Sequence, residues 1–460
     1  MKSQAKSDRM LTRREALRLA AAAGAGLVIS QLPVRSQSSG FPTFLTKTSA
    51  QQTTLRHLVA LNPDMAPAYK EVISGFEKEH PNIKVSFDLV PFTEAVTKVS
   101  QAAAVGRPYD VIDAGSEENQ WQLLEQGLFE PLTDLVDGLG AGKYFAPTAL
   151  TKWKGEYWMA PYLIIPLHIE YRKDLFEAKG LRAPFRTWDE WLDAAKALTD
   201  IKVQKYGFLM PLQTHYFYST LHSSMLLSNG GHILDRNGKV VFNSPENIEM
   251  LGFTKRLATY CVPNMGEQGA DDMQTLFYKD VTAMTWYSEL DIVPNTKKLN
   301  PQLKGKIGIM PIPPRTANQT PVLRTTTQFY SVGKGSAYAK QAKDYIRYLL
   351  RMDNEVKIIR SVPMANVPAV TAAKDAPELF ADPDIQENKQ VYLDYIEMAA
   401  KYGRSVSILE NPGVFNPKTG QILRANLLIQ CVQDVVLNGV PPEKAAAKWA
   451  ARMEEVVKRS

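Results

Sequence analysis

Short polar side chains gather where strands are expected to end. Asp113, Ser116, Glu117 and Asn119 follow the apolar pair Val111–Ile112, Asp64 follows the run ending at Leu61, and Glu94 follows the alternating run Ile83–Phe87. Carboxylates, amides and hydroxyls of this size accept or donate hydrogen bonds to polar ligands, and the charged acceptors do so most strongly. Each also has a purely structural use: Asp64 and Glu94 can offset the positive end of a helix, and the 113–119 group can cap one. Bond-making chemistry finds less support. The six histidines (57, 80, 168, 215, 222 and 232) lack the i, i+4 spacing of a zinc site, and His57 and His80 sit in surface-like contexts. The Gly-x-Ser-x-Gly nucleophile elbow is absent, as is a phosphate-cradling glycine loop. A carboxylate pair of the glycosidase kind stays open, because Asp and Glu are abundant. The expectation is a binding cleft with no catalytic residue, no metal and no cofactor.

The elements that must position these residues follow from length and pattern. At 460 residues the chain exceeds what one core usually organises, so two lobes are expected. Of 54 Lys/Arg and 48 Asp/Glu, eight bases and two acids fall within residues 1–50, leaving 46 of each in a neutral body. That neutrality removes the electrostatic support for a nucleic-acid partner. Cys261 and Cys431 match no metal or redox spacing; they are either two buried thiols or one long-range bridge.

Residues 1–50 read as a signal peptide and linker. Thr12-Arg13-Arg14-Glu15-Ala16-Leu17 precedes an apolar run too short to span a bilayer and resembles the twin-arginine export signal. An ordinary secretory signal or a basic amphipathic helix is the competing reading. The mature chain is therefore expected to be soluble outside the cytoplasm, in the periplasm or beyond. From Leu55 the pattern runs strand, helix (Tyr69, Val72, Ile73 and Phe76 on one face), alternating strand, helix (Glu94–Val105) and strand (Val111–Ile112), which is an open α/β sheet. Ligands of such sheets gather at the carboxyl ends of strands, which points to 62–64, 91–94 and 113–119. Thr187 to Glu190 predicts a capping box.

The segment WKGEYWMAPYLIIPLHIEYRKDLFEAKGL (153–181) stands at the centre of the chain. Trp153–Met159 predicts a half-buried strand and turn around Gly155. Pro161 and Pro166 bracket Tyr162–Ile165, so that apolar run cannot be helical, nor a central strand throughout. An extended apolar run between two prolines suits a crossing from one lobe to the other.

Several stretches, in order, carry a family resemblance: FEKEHPNIKV (76–85), GRPYDVIDAGSEENQWQLLEQGLFEPLTDLV (106–136), the 153–181 segment, TWDEW, the AMTW strand and IGIMPIPP (307–314). The chain resembles the extracellular solute-binding proteins of ABC importers, in the sugar-binding group that includes maltose-binding protein, over about residues 53–457. The resemblance implies an α/β, two-lobe periplasmic-binding-protein fold with hinge strands and a ligand cleft between the lobes. Its lobes would be 51–163 with 325–381 and 164–324 with 382–460, with crossings near 162–165, 323–325 and 382. It also implies a small-molecule carbohydrate ligand, an ABC permease as partner, and a monomer. Tyr162 would edge the cleft. Tyr216, Trp286, Tyr287 and Phe415 would stack a sugar ring, unless they only pack a core, and Glu289 and Gln328 would bind its hydroxyls. Two departures stand out. Arg172 replaces the usual Asn. LRTTTQFY (323–330) replaces a glycine pair, and its hydroxyls and Arg324 suit glycerol phosphate or another polar anion as the alternative ligand. A cleft hydrolase or lyase acting on polysaccharide is the reading from a different class.

Overall fold

The structure is a computed structural model that describes residues 52–60, 63–144, 149–287, 289–405 and 416–459. The expected export signal and Phe415 lie outside the described residues. Eleven strands among them form two sheets. The larger sheet contains β1 (Thr53–Val59), β2 (Ile83–Leu89), β3 (Val111–Asp113), β4 (Phe129–Glu130) and β5 (Ala160–Pro166). It is completed by β9 (Leu323–Gly333), β10 (Val367–Pro368) and β11 (Gly403–Ser405), and its main path runs β10-β5-β9-β3-β1-β2. The smaller sheet is β7-β6-β8, built from β6 (His168–Arg172), β7 (Met284–Tyr287) and β8 (Ile307–Met310).

The parallel core β2-β1-β3 follows from the first sixty residues of the body. Helix Ala66–Glu79 buries Tyr69, Val72, Ile73 and Phe76 on the face that the periodicity predicts. Helix Phe92–Ala104 makes the next crossover. His57 departs from its surface-like reading: it is buried on β1, beside the Tyr345 hydroxyl at 3.2 Å. Burial pushes its pKa down to about 3, because the charged form would be desolvated.

β9 is the spine of the larger sheet. It pairs antiparallel with β3, β4 and β5 and parallel with β11. The Tyr162–Ile165 run is strand, within β5, and it is flanked on both sides only at Leu163–Ile164, where β10 joins. Both prolines sit where one side alone is paired, and the register shifts between Pro161 and Leu163, so neither removes a ladder bond from a fully flanked position. Trp153–Met159 forms a turn with a single bridge, Trp153 to Glu156, in place of the expected strand.

The chain leaves the larger sheet after Pro166 and enters the smaller one at His168. It returns at Leu323, and β11 pairs back with Leu323–Thr325. Helix Lys389–Tyr402 packs against β8 of one sheet and β5 of the other. Arg172 ends β6 with a fork: Nε and Nη2 donate to Asp174 at 2.8 and 2.7 Å while Nη1 donates to Asp280, whose carboxylate also takes Lys205. An Asn lacks the reach and the donors for that clamp.

Thr187 caps helix Trp188–Ala197 as predicted, but Glu190 accepts from the Arg186 amide and not from Thr187. Cys261 and Cys431 are buried free thiols. No helix among the described residues is long and apolar enough to cross a membrane.

Candidate functional site

A cleft of about 740 Å³ opens where strands and loops of the two sheets face each other. One wall is largely apolar: Met65, Phe92, Leu163, Ile165, Val362 and Ala365, with the amides Gln328 and Asn366. The other carries the aromatic run Tyr216–Tyr218, Tyr287, Gln213 and His215, together with five carboxylates: Glu267, Asp271, Asp272, Glu289 and Asp291. No Lys or Arg lines the cleft among the described residues.

The loops that build these walls are locally determined. Gly115 adopts a left-handed φ of +74°, and a Cβ there would lie 1.9 Å from the Ala60 carbonyl oxygen, so only glycine lets the chain turn after β3. The turn presents the Gly115 carbonyl to the Gln328 amide at 2.8 Å. Ser116 then caps helix Glu117–Glu125 by accepting from the Asn119 amide. Asn119 in turn donates to the carbonyls of Phe92 (2.8 Å) and Ala114 (2.9 Å). That bond holds the loop that projects Phe92, half exposed at 50%, into the cleft.

Of the residues singled out from the sequence, Tyr216, Tyr287, Glu289 and Gln328 line the cleft. Tyr162 and Asp113 lie directly behind Gln328. The Tyr162 hydroxyl is 2.6 Å from Asp113 Oδ2 and 2.7 Å from Gln328 Oε1. One hydroxyl proton cannot serve two acceptors, and the Gln328 amide is oriented by its bond to Gly115, so a proton on Asp113 completes the network. Burial pushes the Asp113 carboxyl up to about 7, in the direction this requires.

The remaining candidates within the described residues are not among those that line the cleft. Glu117 is buried and accepts from Trp121 Nε1, the Thr327 amide and the Ser405 hydroxyl, joining its helix to β9 and β11. Ser116 and Asn119 act as cap and loop tie. Glu94 is exposed, 3.3 Å from Lys98 one helical turn away. Asp64 is exposed in the Pro63–Met65 turn, and its neighbour Met65 is the residue that reaches the cleft. Trp286 is fully buried against Trp191, Phe208 and His222. Successive side chains of a strand point to opposite faces, so with Tyr287 in the cleft Trp286 faces the core. Arg324, which suggested an anionic ligand, is buried, 3.4 Å from Glu118, and its guanidinium lies over the Phe217 ring.

Phe92, Phe217, Gln274 and Asp291 were not foreseen from the sequence. The sequence points to the 91–94 loop, and Phe92 is its residue in the cleft lining. Gln274 Nε2 donates to the Tyr287 hydroxyl oxygen and, at 3.2 Å, to Asp291 Oδ2, which also accepts from Tyr287 at 3.3 Å. Burial first, then the charges of Glu289 and Glu170, push Asp291 up to about 7. The Tyr216 hydroxyl is likewise pushed up, by Glu118 first and then by burial.

Comparisons with known proteins accord with this geometry. A family model for the bacterial extracellular solute-binding protein matches residues 62–356. YcjN of Escherichia coli (strain K12), named for a periplasmic-binding role in an ABC transporter, is 22% identical over 319 residues, 65% of this chain and 68% of its own. An ABC transporter solute-binding protein from Thermotoga lettingae, solved with alpha-D-tagatose, superimposes with a TM-score of 0.68 at 23% identity, covering 88% of this chain and 100% of that one. Maltose-bound MalE3 of T. maritima gives a TM-score of 0.68 at 20% identity with the same coverage. Likeness at these identities establishes the two-lobe fold.

Proposed function

Because the chain belongs to the family of bacterial extracellular solute-binding proteins, we propose that its cleft captures a carbohydrate by hinge closure and delivers it to the membrane permease of an ABC transporter. The observation that carries this reading is the pairing of flat rings with short acceptors in one cleft. Tyr216, Phe217, Tyr287 and Phe92 offer faces to the apolar side of a sugar ring, while Gln328, Glu289 and Asp291 offer acceptors to its hydroxyls. The relatives solved with tagatose and maltose support the same class. A volume of about 740 Å³ suits a mono- to oligosaccharide.

The lobe division at 163/164 and 324/325, with the third crossing at 381/382, is part of this reading, and the change of sheet around Leu167 and Leu323 supports the first two. Closure would draw on ligand contacts that exist only when both walls touch the sugar. No bond is made or broken. The anionic alternative loses its basis with Arg324 committed to Glu118 and five carboxylates on one wall.

A thermal-shift screen against mono- and oligosaccharides, polyols and polyol phosphates tests the proposal, since a ligand that binds only the native state raises the midpoint. Stabilisation by sugars supports it. Stabilisation by phosphates alone, or release of new reducing ends from an oligosaccharide, overturns it. Export through the twin-arginine route belongs to the same reading: Arg13→Lys with Arg14→Lys should trap precursor in the cytoplasm, and normal export would refute the route.

A further inference from the structure

We propose that the ligand of this cleft is an amino sugar, a polyhydroxylated ring bearing a protonated amine, whose ammonium group is held by Asp291 and Glu289. This rests on the reading of the cleft as a carbohydrate site and narrows it. The cleft is a cavity with aromatic faces on both walls, so its claim to a ligand does not depend on its charge.

What the charge adds is a lining of one sign, since no Lys or Arg lines the cavity among the described residues. Glu289 and Asp291 line the cavity, and Glu170 on β6 stands buried behind them. The nearest basic group to Glu170 is His168, with Nε2 at 3.7 Å. Among the described residues, none of Glu267, Asp271, Asp272 and Asp291 forms an ion pair. Asp272 accepts from the Gly269 amide at 2.8 Å, and Asp291 accepts from Gln274 and Tyr287, all uncharged groups.

Asp291 is also prepared as a receptor. Both of its side-chain bonds, from Gln274 and Tyr287, converge on Oδ2, which fixes the carboxylate while leaving Oδ1 to a ligand. The Tyr287 ring beside it is placed to stack the sugar that carries the amine. Like charges crowded in a half-enclosed site repel one another, and a cation entering among them relieves the repulsion. A neutral sugar would gain its hydrogen bonds yet leave the repulsion to be relieved only by a proton taken up on Asp291. An anionic sugar would add to it.

The test is isothermal titration of the mature protein at low salt with three matched sets. These are glucosamine and its β-1,4 dimer, glucose and cellobiose, and N-acetylglucosamine and its dimer, with glucuronate and 1,4-diaminobutane as further arms. The expected result is at least tenfold tighter binding of the free-amine member over its neutral partners. That preference should shrink as salt is raised, because exposed and half-exposed charges are screened. In Asp291→Asn, checked for an intact fold by its unfolding midpoint, the ratio should fall toward one. Glu289→Gln provides the second variant if the first fails to fold.

Equal or tighter binding of the neutral sugars would overturn the inference and leave the carbohydrate reading standing. Tighter binding of glucuronate would overturn it in the same way. Diaminobutane binding as well as the amino sugar would overturn the sugar part, and no binding by any sugar would overturn both readings.

Discussion

Two clusters in this molecule are built from the same three residue types. Asp113, Tyr162 and Gln328 meet behind the cleft, and Asp291, Tyr287 and Gln274 meet on its far wall. In both, the aspartate is pushed up to about 7. The causes differ. Asp113 is fully enclosed and shifts through burial, with its hydrogen bonds opposing the shift. Asp291 is half-buried and shifts through burial together with the charges of Glu289 and Glu170. A proton on Asp113 satisfies the first cluster from within, and the cluster ties β3, β5 and β9 together. The second is strained by its own charges and opens to a cavity. Identical chemistry serves the scaffold in one place and suits a ligand in the other, and the surroundings make the distinction.

The same split runs through one strand. Trp286→Ala should cost about 3–5 kcal/mol of stability in denaturant unfolding, because it empties a packed core position. A loss below 1 kcal/mol accompanied by lost ligand binding would place the indole in the cleft and break the comparison.

Asp113→Asn comes next. The folded-state value of about 7 lies above the ordinary 3.8, so the folded protein keeps a proton that the unfolded chain has released. That contribution is complete below about pH 4 and gone above about pH 7. An asparagine supplies the proton-bearing partner at every pH. The variant should match the parent at pH 4 and exceed it at pH 8 by an amount on the order of a few kcal/mol. Parallel stability curves across that range would show that Asp113 is not the titrating group.

Tyr287→Phe tests the cleft cluster with a smaller effect. It keeps the ring and removes the hydroxyl that bonds Gln274 and Asp291, so sugar affinity should drop by about 1 kcal/mol while stability changes less. A large loss of stability with affinity intact would make this cluster structural as well, and the two would no longer differ in kind.

Much of the fold was legible because it rests on short-range pattern. The i, i+3, i+4, i+7 stripe of the first helix, the alternation at 83–87, the Thr187 cap and the two prolines at 161 and 166 each encode a local geometry that tertiary packing did not need to correct. The loops at strand ends were legible for the same reason, and the ordered family stretches extended the picture to two lobes. Tyr216, Tyr287, Glu289 and Gln328 could be singled out along the chain and stand in the cleft.

What the chain alone could not decide was which face of an element the cleft would take, and which charges would find partners. Trp286 and Tyr287 are adjacent and alike in sequence, and a strand must send one inward. Arg324 reads as an anion receptor until Glu118, more than two hundred residues away, is seen beside it. Asp291 reads as an ordinary loop acid until Glu170, Glu289, Tyr287 and Gln274 converge on it from two strands, a loop and a helix. Periodicity acts over a few residues, whereas burial and charge pairing depend on which distant segments meet. The sequence therefore determined the elements, and the tertiary structure decided which of their side chains were left for a ligand.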